Sequence, residues 1–426
     1  MAKDKKTVKE LTMEEKLAQV LVQVEEQPYK IPENWCWVHL CDSFNNYTNS
    51  RKKIQSKEYQ EKGKLAIVDQ GRELIGGYTD DESMAYSGEL PVIIFGDHTR
   101  CIKFIDFPFA QGADGVKVIE PKKFYDTKAF YYALQSIDIP NMGYRRHFSL
   151  FSQFAIPVPP FEEQCRIVDR IESIFTKLDE AKEKAQAVVD GFELRKSAIL
   201  HKAFKGELTK QWREEHGLTL ESWRNTKLGD TIRLLSGQDF KPEQYNNKND
   251  GVPYITGASN FDETHVVINR WTPVPSVIAK KGDILLVCKG SGYGKTIIAD
   301  FDKAHIARQI MAIRTNDNII NEYLLFYFRA QYEYFRNNGQ GLIPGISRKV
   351  VLEMQVRIPT KNEQVYIVEQ VKSIFNKEIL AREAAKKVID QIGIIKQAVL
   401  ARAFHGELGT NDLTEEDAIE LLKLAL

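Results

Sequence analysis

The sequence predicts an α+β protein of two mixed α/β domains, each followed by a long helix, and three observations carry that prediction. The segment "EQCRIVDRIESIFTKLDEAKEKAQAVVDGFELRKSAILHKAFKGEL" returns 200 residues later as "EQVYIVEQVKSIFNKEILAREAAKKVIDQIGIIKQAVLARAFHGEL". From Gln164 to Leu208 against Gln364 to Leu408, twenty of forty-five positions are identical without a gap, which marks an internal duplication. Both copies carry apolar residues at heptad spacing, and the stretches ahead of them are filled with short β-rich runs.

The elements follow in order. Residues 1–27 read as an N-terminal helical segment, and Leu11-Thr12 and Leu208-Thr209 open the two halves. Residues 28–155 form the first mixed domain, with strands expected at "LAIVDQG", "PVIIFG", "CIKFI" and "GVKVI". Residues 156–212 are the first helical spacer, entered through "VPPF" (Val158 to Phe161), where prolines stop a strand and open a helix. Residues 213–357 form the second domain, with strands expected at "VPYITG", "HVVIN", "DILLVC", "TIIAD" and "IMAIR" and a helix at "NEYLLFYFRAQYEYFRNN". That helix's Tyr323, Phe326, Tyr327 and Tyr334 read as core rather than a base-stacking platform. Residues 358–409 are the second spacer. Residues 410–426, with "TEEDAIELLKLAL", read as an acidic amphipathic helix of no derivable role.

The seam of the first helix runs through Ile167, Ile171, Ile174, Leu178, Ala181, Ala185, Val188 and Phe192. The second repeats it with Ile367, Val371, Ile374, Ala381, Ala385, Val388 and Ile392, and Glu378 is its polar intruder. Such 4,3 spacing predicts a coiled coil, with the alanines allowing close approach. Forty residues at 1.5 Å rise give a rod of roughly 60 Å, the length of a spacer; the alternative is a pair of ordinary core helices.

Composition excludes several classes. Hydrophobic content of 43% suits a globular chain, and no run of eighteen apolar residues or signal-like start appears, so the expected location is cytoplasmic and off the membrane. Cys36, Cys41, Cys101, Cys165 and Cys288 lack any C-x-x-C pairing, which supports neither a disulfide framework nor a zinc site. The net charge of zero conceals a basic middle and an acidic tail: nine Lys/Arg against five Asp/Glu from Lys289 to Lys349, and six acids against Lys423 in the last twenty residues.

Catalytic motifs fail on inspection. "DILLVCKGSGYGKTIIAD" (283–300) ends in Gly-Lys-Thr, but the residue five before Gly294 is Lys289, so Gly290 comes one place late for a P-loop, and the β-branched "TIIAD" reads as a strand instead of a helix. "VPPF" lacks the polar first residue that an amino-methyltransferase motif uses to hold its target amine. No H-E-x-x-H or G-x-S-x-G appears, and lone histidines such as His98 and His305 read as structural. No catalytic residue and no metal site is expected.

Two variable domains, each followed by a repeated helix that begins "P…EQ…I" and ends "A-F-x-G-E-L", resemble the specificity (S) subunit of type I restriction-modification systems. The motifs are "IPVPPFEEQCRIVDRI" and "RIPTKNEQVYIVEQV" at the helix starts, "LRKSAILHKAFKGEL" and "IIKQAVLARAFHGEL" at the ends, and "GDILLVCKGSGYGK" in the second domain. The resemblance covers nearly the whole chain. It implies two target-recognition domains, each reading one half of a bipartite, asymmetric site in double-stranded DNA, and two antiparallel helices that fix the gap. It also implies a non-catalytic subunit: two modification (methyltransferase) subunits bring S-adenosylmethionine, restriction/translocase subunits bring ATP and Mg, and this chain holds no cofactor. The N-terminal segment is expected near the end of the second helix, giving a circular arrangement. A scaffold without DNA sequence preference is the alternative.

On that reading, DNA contacts divide into phosphate-positioning and base-reading groups. In the second domain the candidates are Lys289 and Lys295, flanking a glycine loop whose N–H groups would meet phosphates, Ser291 and Tyr293 at base edges, then Arg308 with Gln309, Gln340, Arg348 and Lys349. In the first they are Arg51, Lys52, Lys53, Gln70, Arg72, Arg145 and Arg146, with His147 in the same run. A plain hairpin with solvated lysines is the bland reading of the glycine loop.

Overall fold

The computed structural model describes residues 11–426 except 50, 114, 144, 263, 291, 333, 334 and 336–344. Residues up to Lys184 together with Lys387–Leu426 make one compact unit, and Ala185–Lys386 the other. The division falls inside both long helices, so each unit owns one domain, the start of its own repeated helix and the end of the other's.

In the first unit, β1 (Cys36–His39) pairs with β9 (Ala155–Val158) and brings the domain's two ends together. A four-stranded sheet runs β2 (Phe44–Asn46), β8 (Val116–Pro121), β5 (Val92–Gly96), β6 (Ile102–Ile105). A second sheet places β3 (Leu65–Val68) between β4 (Gly77–Thr79) and β7 (Phe109–Gln111), with β3 and β7 parallel. The second unit repeats this plan. Its β10 (Arg224–Lys227) pairs with β19 (Gln355–Ile358), and one sheet runs β11 (Ile232–Ser236), β18 (Ile310–Thr315), β15 (Ile284–Val287), β16 (Thr296–Ile298). The other runs β13 (Trp271–Thr272), β12 (Val252–Ile255), β17 (Lys303–Ile306), β14 (Ile278–Lys280), again with a parallel pair, β12 and β17. The inner strands β5 and β15 are wholly buried, which is why they read as unbroken apolar runs. "HVVIN" makes no strand: Val266 forms an isolated bridge to Phe261.

The helices are α1 (Met13–Val20), α2 (Thr127–Ser136), α3 (Phe161–Asp190), α4 (Phe192–Phe204), α5 (Lys210–Glu215), α6 (Asn321–Ala330), α7 (Arg348–Glu353), α8 (Lys361–Phe404) and α9 (Ala418–Ala425). The first spacer is thus two helices, hinged at Gly191, whose N–H still bonds Ala187 O. A Cβ there would meet the Arg195 guanidinium, which folds back to donate to Val188 O at 2.7 Å. Tyr323, Phe326 and Tyr327 of α6 are buried core, as expected, while Tyr334 lies outside the described residues. Among the described residues no helix is long and apolar enough to cross a membrane, no His/Cys/Asp/Glu group could hold a metal ion, and the five cysteines are free thiols.

Within each unit the start of one repeated helix packs against the end of the other, so the pair is antiparallel. Ile167 and Ile171 share a core with Leu400, Ala403 and Phe404 in the first unit. Ile367, Val371 and Phe375 do so with Leu200 and Ala203 in the second. The seam follows the heptad at these ends and departs from it further along. Ile174, Leu178 and Ile374 are half-buried, Phe375 takes the inward place, Ala381 is exposed, and Val388 is 40% exposed while Ile392 is buried. A straight helix drifts about 20° per heptad, so a strict 3.5 repeat walks off the contact line. The intruder Glu378 has a purpose: Arg195 Nε donates to it at 2.7 Å, whereas the matching positions in the first unit are Leu178 and Ile395. There the ion pair is Asp179 with Lys396, at 2.7 Å.

The repeated Glu-Gln pair locks each helix to its domain. Gln164 Oε1 accepts from Asp126 N–H at the start of α2 and its Nε2 donates to Phe124 O and Pro159 O. Gln364 does the same for Ile320 N–H, Asn318 O and Pro359 O. Buried Glu363 accepts from Trp223 Nε1 (2.9 Å), Thr209 Oγ1 (2.7 Å) and Arg213 Nη1 (2.7 Å). Buried Glu163 accepts from Trp35 Nε1 (2.7 Å), Asn411 Nδ2 (2.7 Å) and Thr410 Oγ1 (3.1 Å). The C-terminal tail, assigned no role from sequence, is therefore the first unit's closing latch. Arg166 grips Glu415 through two bonds, and Ala418 and Leu422 of α9 are fully buried. The N-terminal segment joins it: Lys16 Nζ donates to Leu426 O, and just beyond the segment Tyr29 stacks on His405 at 3.7 Å.

Candidate nucleic-acid interface

Three loops meet at the same place in each unit, and they hold most of the sequence-selected basic residues. In the second unit they are the β15–β16 hairpin, the β17–β18 turn and the segment leading into α7. Cys288 N–H donates to Gln309 O at 2.8 Å, and Ile346 N–H donates to Cys288 O at 2.8 Å. Lys289, Lys295, Arg308, Arg348 and Lys349 are thereby gathered on neighbouring loops, all exposed. The first unit makes the same junction. Asp97 N–H, in the β5–β6 hairpin, donates to Gly115 O at 2.6 Å, and His147 N–H donates to Asp97 O at 2.8 Å. Buried His147 also sets its Nδ1 at 2.9 Å from Asp97 O and accepts from Met142 N–H through Nε2. That pins the loop on which Arg145 and Arg146 stand exposed.

A fourth loop, residues 69–73, joins the first unit's junction through Lys103, which sequence reading missed. Its side chain is 5% exposed, and its ammonium donates to Asp69 O and Glu73 O and lies 3.6 Å from Asp69 Oδ1. Burial holds its pKa below the ordinary lysine value, against the opposing pull of Asp69. Lys103 thus ties down the loop that presents Arg72.

Comparison with known proteins fits this duplicated plan. The family model described as "Type I restriction modification DNA specificity domain" matches residues 32–189 and again 221–391, one copy per half. The chain belongs to this family. It is 28% identical over 265 residues to the putative type I restriction enzyme MjaX specificity subunit of Methanocaldococcus jannaschii, a match spanning 59% of each chain. It is 21% identical over 431 residues to the EcoBI specificity subunit of Escherichia coli, covering 89% of this chain and 87% of that one. The crystal structure of the HsdS subunit from Thermoanaerobacter tengcongensis shares its fold with a TM-score of 0.62 at 20% identity, over 90% of this chain and all of the other.

Within these two specificity domains the selected residues are not equivalent. The hairpin's glycines serve the turn, with Gly290 at φ +87° and Gly294 at φ +89°. Three of its N–H groups are spent internally: Tyr293 on Gly290 O, Gly294 on Val287 O, Lys295 on Gly292 O. Those three donors are therefore not open to a phosphate, while Lys289 and Lys295 are exposed and, among the described residues, without an ion pair. Tyr293 is half-buried and packs on the second unit's core instead of standing free. Arg308 is paired with Asp239 at 3.1 Å, and Arg348 donates to Leu234 O and Ser236 Oγ. Lys349 sits 3.9 Å from Glu353, both exposed. Gln70 turns inward, its Oε1 accepting from His98 N–H, so that oxygen is not open to a base. Arg51 and Lys52 are exposed and Lys53 half-buried, on the segment that follows β2. Lys52 donates to Ser83 O, and Asn49 Oδ1 caps the backbone of both Arg51 and Lys52. Ser291 and Gln340 lie outside the described residues.

His305 is structural. It stacks on Phe240 at 4.0 Å, bonds Gln238 O through Nε2 and accepts from Val277 N–H through Nδ1. Burial lowers its pKa, which favours the neutral Nε2–H form.

Proposed function

We propose that this chain is the sequence-reading subunit of a type I restriction-modification complex, each specificity domain contacting one half of a bipartite, asymmetric target in double-stranded DNA. The observation that carries the reading is the recurrence of one loop junction in two domains of the same topology, furnished with different side chains: Arg72, Arg145 and Arg146 in one, Lys289, Lys295 and Arg308 in the other. Loops on rigid sheets are where recognition residues gather, and lysines or arginines there supply phosphate attraction while their neighbours read base edges. The antiparallel repeated helices set the length of the unspecified gap and offer like surfaces to two modification subunits. Restriction/translocase subunits complete the assembly in the cytoplasm. S-adenosylmethionine and ATP/Mg are used by those partners, and this chain contributes no catalytic residue.

Selection of bound sequences from random duplexes, with and without modification subunits, tests the reading. Two separated half-sites are expected, and a single contiguous motif would overturn the two-domain reading.

A further inference from the structure

The second unit holds an open cavity of about 680 Å³ between the end of its hairpin, the last turn of α6 and helix α4. Its polar wall is incomplete. Thr296, 8% exposed, has a buried Oγ1 with no hydrogen-bond partner. Arg329 reaches in from α6, where its Nη2 makes a long contact to Thr296 O at 3.5 Å; among the described residues no carboxylate pairs with it. Lys295 stands exposed on the same wall. The acids on the rim are engaged elsewhere, Glu193 with Lys196 at 3.3 Å and Asp262 beside His265 at 3.3 Å. Among the described residues the half-buried guanidinium thus faces one distant carbonyl and no counter-charge, and the Thr296 hydroxyl has no partner.

We propose that this cavity seats a backbone phosphate of the bound DNA, held by Arg329, Thr296 Oγ1 and Lys295, with the attached sugar against Phe261 and Tyr332. This rests on the DNA-reading function proposed above. A phosphodiester suits the donor set better than a planar carboxylate, because its tetrahedral phosphorus sets the two non-bridging oxygens to accept from donors that do not share one plane. The aromatic floor matches the C–H face of deoxyribose. Burial lowers the pKa of Arg329, and among the described residues no carboxylate raises it again. The first domain lacks these groups. Ile102 opens β6 where Thr296 opens β16, and Gln135 stands next to last in α2 where Arg329 does in α6. The contact is thus confined to one half of the site, as an asymmetric target allows.

The test uses the chain assembled with its modification subunits and its selected duplex, with affinity measured across a salt series. Arg329→Gln is expected to weaken binding about tenfold and to lower the log-log salt slope by about 0.9, one phosphate contact. Thr296→Val should weaken binding a few-fold with the slope unchanged, since no charge is lost. Arg329→Lys, a milder change should the glutamine variant fold poorly, should keep the slope while losing affinity. Unchanged affinity and slope in Arg329→Gln would overturn the proposal. So would loss of a modification subunit from that variant with DNA slope intact, which would place an acidic protein segment in the cavity. A wild-type complex with no half-site preference would overturn the DNA-reading function itself.

Discussion

Glu163 and Glu363 occupy the same place in the repeat, yet their removal should cost unequal amounts. Glu363 is fully buried and neutralises Arg213, itself 4% exposed, while also accepting from Trp223 and Thr209. Glu363→Ala strands a buried cation, which typically costs about 3–5 kcal/mol. Arg213 keeps Gly206 O and the Trp223 ring as neighbours, but neither offsets its charge. Around Glu163 the donors are neutral, and Thr410 and Asn411 are only half-buried, so water can replace the lost carboxylate for them. Trp35 Nε1 alone of those three belongs to a buried residue, and an orphaned neutral donor costs about 1–3 kcal/mol. Hydrogen exchange provides the assay, because β15 and β5 are wholly buried and report the full opening of their units. The opening free energy of β15 in Glu363→Ala should fall by more than that of β5 in Glu163→Ala. Equal losses, or a larger one for Glu163→Ala, would refute the argument that the charge of Arg213 makes the difference.

The remaining predictions concern the seam, the hairpin and pH. Ile171→Asp buries an unpaired charge in the first unit's core and should lower stability by several kcal/mol, whereas Val388→Asp, at a 40% exposed site, should change it by about 0.5 kcal/mol or less; thermal melts of the two variants decide. Lys295→Ala should reduce the salt slope of DNA binding by about 0.9, and Arg308→Ala by less, since Asp239 already neutralises that guanidinium; the reverse order would argue that the ion pair opens on binding. His305 titrates near 6.5 when unfolded and lower when folded, so the unfolded chain takes the proton first as pH falls. Its contribution to stability is complete above about 6.5 and is lost below it. Urea midpoints of the second unit should drop across that range, and less steeply in His305→Gln.

Much of this protein was legible without coordinates because its strongest signals are local or periodic. The 200-residue repeat announced the duplication, the apolar runs "PVIIFG" and "DILLVC" marked the buried inner strands, and the strand after Lys295 removed the P-loop reading. Heptad spacing placed Ile167, Ile171, Ile367 and Val371 on one face. It overreached at Ala381 and Val388, where helical drift and the partner's position, not spacing, decide what is covered.

What the tertiary structure alone decided depends on residues far apart in the chain. Arg308, Arg348 and Gln70 look like free DNA-contacting groups by type and loop position, but Asp239, the β11 carbonyl of Leu234 and His98 N–H already engage them. The Glu363 latch draws on Trp223, Thr209 and Arg213, and the acidic tail became a closing element once Glu163 was seen to accept from Thr410 and Asn411. Lys103, Thr296 and Arg329 sat inside stretches that read as strand or aromatic core. Their polar atoms matter because of what burial leaves beside them. Sequence determined the repeat, the strands and the helix faces, since those follow from neighbours a few residues apart. Which charges remain free for DNA is set by long-range pairing and desolvation, which only the folded chain creates.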